Sequence, residues 1–318
     1  LILGVLLISL FSINGSSTTI NSKNRPYFTT TEDYLNAYDL NFENVAYRLE
    51  FLGDPENIAV NIFEVQEPAG TIVLLHGLFA HAGQLTYLIR FLIDRNYTVM
   101  TVDLPGHGLS SGEKASIRDF GDYSKALEDA INTYIDSLPG PVHFIGHSTG
   151  CAAAFEYLSA GKEDPFEKVI FLAPLYRSNY WGVSKFGYYL FGPFVSSVPR
   201  WHRKVSSDPD FLTRVKSDPL QSSSLPIAYV KALFKWNMRI RESAPLDRTV
   251  YAIQGDKDRV LDWRTNLDFY KSKVANLEVT RIEGARHELT NESMPLRQKA
   301  FTEIARILDL PEPGRFRE

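Results

Sequence analysis

At 318 residues, 44% hydrophobic and 23% charged, the chain has ordinary globular composition and enough length for one α/β domain with an insertion, or for two domains. Its 34 Lys and Arg against 38 Asp and Glu give a net charge of −4, and no dense basic run or repeat is present, which excludes the electrostatic footprint of nucleic-acid binding. The single cysteine, Cys151, excludes an internal disulfide.

The first 13 residues are apolar and uncharged, and a polar stretch from Asn14 to Thr19 follows. The run is short for a membrane span and suits the core of a signal peptide. Residues 1–20 are therefore expected to be an export signal or an uncleaved anchor, which would place the protein outside the cytoplasm or at a membrane. A buried N-terminal strand or helix is the alternative. Residues 21–318 form the folded domain.

Residues 44–51 and 58–65 alternate apolar and polar side chains, as two antiparallel strands would, with Gly53-Asp54-Pro55 as their turn. Largely apolar runs at 71–76, 97–103, 142–147 and 169–173 read as strands of a parallel sheet, 71–76 as an interior one. Helical spacing appears at 84–95 and 118–137. This alternation predicts an α/β fold, a mostly parallel sheet covered on both faces. It lapses over residues 176–247, which are rich in aromatics such as Tyr180, Trp181, Phe186, Tyr229 and Trp236. A structureless loop of that length is implausible, so the stretch predicts an inserted, mainly helical cap over the carboxyl ends of the strands. Strands at 249–255 and 277–282, and helices near 264–272 and 294–308, complete the pattern.

Within it, the stretch Gly146-His147-Ser148-Thr149-Gly150 fits Gly-x-Ser-x-Gly. Chance supplies such a match about one time in ten in a chain this long. Here, however, it ends a predicted strand and opens a small-residue helix, the context that a nucleophile elbow requires. A strand that becomes a helix within a few residues strains the turn residue and needs small neighbours two positions away on either side. Ser148 would then stand exposed at a helix N-terminus, where negative charge is favoured. Cys151, on the following helix, is expected to serve packing.

A serine hydroxyl needs a base and an orienting acid, which on this fold follow it in the order Asp or Glu, then His. Of the seven histidines only His202 and His287 follow Ser148. His202 lies in the expected cap, whereas His287 follows the last strand, so His287 is the candidate base. Asp256 and Asp258 both follow the penultimate strand. Asp258, further into the loop, can turn back toward His287 and is preferred; Asp256 can cap the turn. The amides of Thr149 and Leu78, with Phe79 second, are candidate oxyanion donors. No metal or cofactor is expected, because His287-Glu288 opens like a zinc motif but Asn291 stands where its second histidine belongs. An aspartate at the elbow, needed for epoxide hydrolase or dehalogenase chemistry, is replaced by Ser148.

These residues resemble the α/β-hydrolase superfamily, and within it the monoacylglycerol lipase and bacterial lysophospholipase group. The resemblance covers roughly residues 40–308. It rests on His76-Gly77, Asp103 with Gly106-His107-Gly108-Leu109-Ser110, the elbow, Ser217-Asp218-Pro219-Leu220, Gly255-Asp256-Lys257-Asp258 and Gly284-Ala285-Arg286-His287-Glu288-Leu289. It implies Ser148, Asp258 and His287 as the triad, and Leu78 and Thr149 as the oxyanion donors. It departs at Thr149, where the lipases usually carry methionine, at Cys151, and over most of the cap. The implied reaction is hydrolysis of a carboxylic ester through an acyl-enzyme, on a monoacylglycerol or lysophospholipid. A short-ester carboxylesterase, an aminopeptidase-like amidase and a non-catalytic binding module are the alternatives.

Overall fold

The apolar runs pair into one eight-stranded sheet with order β1-β2-β4-β3-β5-β6-β9-β10 in a computed structural model that describes residues 27–53, 57–200 and 203–310. The apolar segment 1–20, two residues of the Gly53-Asp54-Pro55 turn, and His202 lie outside the described residues. The strands are β1 (Ala46–Leu52), β2 (Ile58–Glu64), β3 (Gly70–Leu75), β4 (Tyr97–Val102), β5 (Val142–His147), β6 (Val169–Leu172), β9 (Leu246–Gly255) and β10 (Val274–Ile282). The numbers β7 and β8 belong to a separate ribbon, Ser197–Pro199 with Ser224–Pro226. The first two strands run antiparallel to each other, and β2 antiparallel to β4; every pair from β4 to β10 is parallel.

The helices are α1 (Thr31–Ala37), α2 (Thr86–Ile93), α3 (Gly121–Tyr134), α4 (Thr149–Ser159), α5 (Trp181–Phe191), α6 (Pro209–Ser217), α7 (Ile227–Ile240), α8 (Trp263–Lys273) and α9 (Met294–Ile307). Successive strand side chains point to opposite faces. Val73, Leu75 and Phe144 therefore enter one core with residues of α3, α4 and α8, while Ile72, Leu74 and Ile145 enter the other with α2 and α9. This double burial explains why the β3 and β5 runs are largely apolar; both strands are wholly buried, and their polar members Thr71, His143 and His147 are buried with them.

Helix α1 has no counterpart among the expected elements. At seven residues it is too short to display periodicity, and it is set by a capping box. Thr30 Oγ1 accepts from Asp33 N at 3.1 Å, and Asp33 Oδ2 accepts from Thr30 N at 3.0 Å. Strand β10 also starts earlier than its apolar run, at Val274, directly from the end of α8.

Strand β3 sits where the strand order reverses, with the following strand β4 on one side and β5 on the other. Such a point opens a crevice at the carboxyl ends of the strands. Between β6 and β9 the chain lays α5, α6, α7 and the short β7–β8 ribbon outside the sheet. These helices are unequal. Trp236 of α7 is fully buried and stacks on Phe120 at 5.3 Å between ring centroids, so α7 is continuous with the main core. Helix α5 buries no residue, and Phe186, Tyr189 and Phe191 on it stay exposed. Replacing Trp236 by Ala removes a large core side chain, and urea unfolding should lose about 3–5 kcal/mol. A loss below about 1 kcal/mol would show that α7 is not part of the cooperative core.

Candidate active site

The elbow is built as its residue types require. Ser148 adopts φ 51° and ψ −108°, a conformation that L-residues rarely hold. A Cβ on Gly150 would stand 2.6 Å from Leu75 O, and one on Gly146 would stand 3.0 Å from Cys151 N, so both positions must stay bare. The turn is pinned by Ser148 N donating to Leu172 O at 2.9 Å. Cys151 is buried, and its Sγ lies 3.1 Å from Gly146 O, inside the packing of this turn. Thr149 is the first residue of α4, so its N–H has no partner within the helix. Its hydroxyl lies 3.3 Å from the Tyr229 hydroxyl, joining the elbow to α7.

Asp258 and His287 meet across the loops after β9 and β10, with His287 Nδ1 donating to Asp258 Oδ2 at 2.8 Å. The other Asp258 oxygen accepts from Val260 N at 2.7 Å and Leu261 N at 3.1 Å, and buried Gln254 Nε2 adds a 3.3 Å contact to Oδ2. Burial alone would raise the Asp258 carboxyl; the His287 imidazole and the two amides outweigh it and hold the carboxyl below its usual range. Burial would likewise lower His287, but the Asp258 charge and hydrogen bond win and raise the imidazole above the ordinary histidine value. Asp256 turns elsewhere and accepts from Gly284 N at 2.8 Å, which fixes the turn before His287.

His147, next to Ser148, donates from Nε2 to the His287 carbonyl oxygen at 3.0 Å. Burial pushes this imidazole below its ordinary value, so it is neutral and the donating nitrogen is defined. The elbow thereby grips the backbone that carries His287. Among the described residues Ser148 Oγ has no hydrogen bond within 3.5 Å, to His287 or elsewhere, a looseness common in unliganded sites. His147, His287 and Glu288 bring potential metal-ligating atoms within 4.8 Å of one another. One nitrogen of each imidazole is committed, His147 Nε2 to the His287 carbonyl and His287 Nδ1 to Asp258, which fixes both rings and leaves His287 Nε2 as the nitrogen available to a reacting hydroxyl.

Other buried carboxylates shape the surrounding loops. Asp103 accepts from Ala82 N at 2.7 Å and Leu109 N at 2.8 Å, tying the loop after β3 to the Gly106–Gly108 turn. Asp218 accepts from His81 Nε2 at 2.9 Å, Gln84 Nε2 at 2.7 Å and Tyr38 OH at 2.8 Å, anchoring the end of α6 to the body. Glu292 is fully buried and accepts from Arg286 N at 2.6 Å and Ser207 N at 2.7 Å. Together with Glu288 N donating to Val205 O at 3.0 Å, this joins the His287 loop to residues 205–207. Arg286 and Glu288 belong to the His287 motif and Leu109 to that of Asp103, whereas Val205, Ser207 and Glu292 belong to no motif of the sequence.

A cavity of about 570 Å³ opens over the carboxyl ends of the strands. Ser148, Thr149, Leu78, Phe79 and His287 line it on the sheet side. Phe211, Val215, Leu225, Val230, Leu233 and Phe234 supply apolar walls from the segment between β6 and β9. Its size suits a small organic ligand. The arrangement can hold a carbonyl between a strained serine and an acid-oriented imidazole, with an apolar space alongside.

A protein-family model described as Hydrolase_4, Serine aminopeptidase, S33, matches residues 66–294. The monoglyceride lipase homolog of Monkeypox virus is 26% identical over 248 residues, covering 74% of this chain and 88% of that protein. The monoglyceride lipase of Homo sapiens is 26% identical over 249 residues, covering 74% and 81%. Among solved structures, a soluble variant of the Saccharomyces cerevisiae monoglyceride lipase superposes with a TM-score of 0.71 at 19% identity, covering 86% of this chain and 97% of that one. The last likeness speaks to the fold, and the match across most of the chain speaks to the family: the protein belongs to the Hydrolase_4 family of serine aminopeptidase-like proteins and is an α/β-hydrolase of the monoacylglycerol lipase-like group.

Proposed function

We propose that the protein is a serine esterase that cleaves a single-chain lipid ester through an acyl-enzyme, with the segment 176–247 as its cap. The observation that carries this reading is the Asp258–His287 pair at 2.8 Å, on the wall of the same apolar cavity that Ser148 lines. In the reading, Ser148 Oγ attacks the ester carbonyl carbon while His287 Nε2 takes the hydroxyl proton. The Leu78 and Thr149 amides hold the oxyanion, each such donor being worth about 3–4 kcal/mol in the barrier. The tetrahedral adduct collapses, the C–O bond to the alcohol breaks, and His287 returns the proton to the departing alkoxide. Water then attacks the acyl-enzyme by the same route and releases the fatty acid. Asp258 keeps the His287 tautomer and stabilises its charged form.

Apolar walls and the bare aromatic face of α5 support a lipid substrate that arrives from an aggregate or membrane surface. The expected export signal or anchor in residues 1–20 would fit such a surface. Charge speaks against a free amine as ligand: the cavity is lined by Arg200, Arg203, Lys204 and Lys216 against the single carboxylate of Glu288.

The direct test is hydrolysis of p-nitrophenyl esters of increasing acyl length, with kcat/KM expected to rise from acetate to a medium or long chain. A monotonic preference for acetate would replace the lipid reading by a short-ester esterase. Changing Ser148 to Ala should abolish turnover while the thermal midpoint stays within a few degrees. The pH profile follows from His287. Its imidazole must be neutral to accept the proton, and Asp258 raises its pKa, so kcat/KM should climb through an acid limb above the unperturbed histidine value of about 6.5. In Asp258→Asn burial is opposed only by the weaker attraction of Glu288, so the limb should move to lower pH while kcat falls on the order of 10⁴-fold. A limb that stays in place would remove Asp258 from this role.

A further inference from the structure

The cavity's cations have no counterpart in the chain as a whole, which carries more acidic than basic residues. Arg200 is the informative one. It is half-buried on the cavity wall, and its guanidinium lies 4.2 Å from the centroid of the Phe79 ring. Phe79 directly follows Leu78, so the charge packs on the loop that carries a proposed oxyanion donor, in the cavity that Ser148 also lines. The guanidinium donates to two neutral oxygens, Gln221 Oε1 and, at 3.4 Å, Ser222 O. Among the described residues no carboxylate pairs with it within 4.0 Å.

The acids that reach it by longer-range attraction, Glu288 and Asp218, are otherwise placed. Asp218 already accepts from His81, Gln84, Tyr38 and the Leu220 amide. Glu288 stands beside His147 and His287. Burial pushes the Arg200 guanidinium down to about 10, which still leaves it charged at neutral pH. A desolvated cation without an anionic partner is costly, and an arginine fork is suited to the paired oxygens of a phosphate. Arg203 and Lys204, on the same stretch, and Lys216, at the end of α6, add exposed positive charge to the cavity lining.

We propose that Arg200 is the centre of an anion subsite that takes the phosphate of a single-chain phospholipid, so that the substrate is an acidic lysophospholipid in preference to a neutral monoacylglycerol. The proposal deepens the esterase reading and rests on it. In such a lipid the phosphate lies a glycerol's length from the scissile ester, on the alcohol side. A cation next to the oxyanion loop therefore meets the phosphate when the carbonyl is over Ser148. A neutral glycerol head would leave Arg200 uncompensated.

The test uses the full chain carrying Ser148→Ala, titrated calorimetrically with decyl phosphate and with 1-O-decylglycerol, both below their micellar concentrations. The phosphate should bind at least about tenfold more tightly, and Arg200→Gln should bring that ratio to within about twofold. Arg200→Lys should restore only part of it, because the charge remains and the fork is lost. Equal affinities for the two ligands would overturn the proposal without any Arg200 variant. A ratio unchanged in folded Arg200→Gln would overturn it as well. Displacement of decyl phosphate by an equal concentration of inorganic phosphate would show a free-ion site and would also overturn the lipid assignment. The esterase reading fails separately, through absence of p-nitrophenyl ester hydrolysis by the unmodified protein.

Discussion

The backbone at Ser148 is the constraint on which the rest of the site depends. At φ 51° and ψ −108° it stores strain on the order of 1–3 kcal/mol, and it persists only because its surroundings over-determine it. The bare Cα atoms of Gly146 and Gly150 let β5, β3 and α4 close around the turn. Leu172 O holds its amide, and Leu175 N donates to its carbonyl at 3.3 Å. The result places a hydroxyl above the sheet, an amide at a helix start behind it, and His147 to one side. Because His147 Nε2 holds the His287 carbonyl, the same turn also sets the height of the loop that carries the imidazole.

Four buried carboxylates do for the loops what the strained turn does for the serine. Asp103, Asp218, Asp258 and Glu292 each accept at least one main-chain N–H, and each joins segments that are distant in sequence or steadies a loop at the carboxyl edge of the sheet. Burying a carboxylate is costly unless it is fully hydrogen-bonded, and a set of converging donors offsets that cost only in one loop geometry. The device gives position, which a catalytic constellation needs more than it needs net stability. Asp258 spends part of its bonding on the candidate base, His287, and Asp218 holds Gln84, which also lines the cavity. Arg200, in contrast, is a charge whose partners within the protein are neutral, and this difference separates the scaffold's ions from the one that faces a ligand.

Much of this was legible in the sequence. Period and composition gave the parallel sheet, its helices and the point where alternation lapses, because strands buried on both faces leave runs that are largely apolar. Ser148 was legible because the elbow needs small residues at fixed spacing. The choice between Asp256 and Asp258 was not decided by spacing, since both follow the same strand; in the structure Asp258 meets His287 and Asp256 meets the Gly284 amide. His147, Gln254, Tyr229 and Glu292 gave no local signal. His147 bonds a residue 140 positions away, and the Thr149–Tyr229 contact spans 80. Helix α1 escaped because a capping box, not an apolar stripe, defines it. Arg200 was invisible for a related reason: whether an arginine has a carboxylate beside it is a property of the fold.

The convergence of one hydroxyl and one imidazole on a shared cavity is the claim that everything else serves. Reaction of the intact protein with a long-chain fluorophosphonate, followed by mass spectrometry of the peptides, measures it directly. The account predicts stoichiometric loss of fluoride to a single adduct on Ser148, slowed in a His287→Ala variant. An unreacted protein, or an adduct at another residue with Ser148 intact, would contradict it.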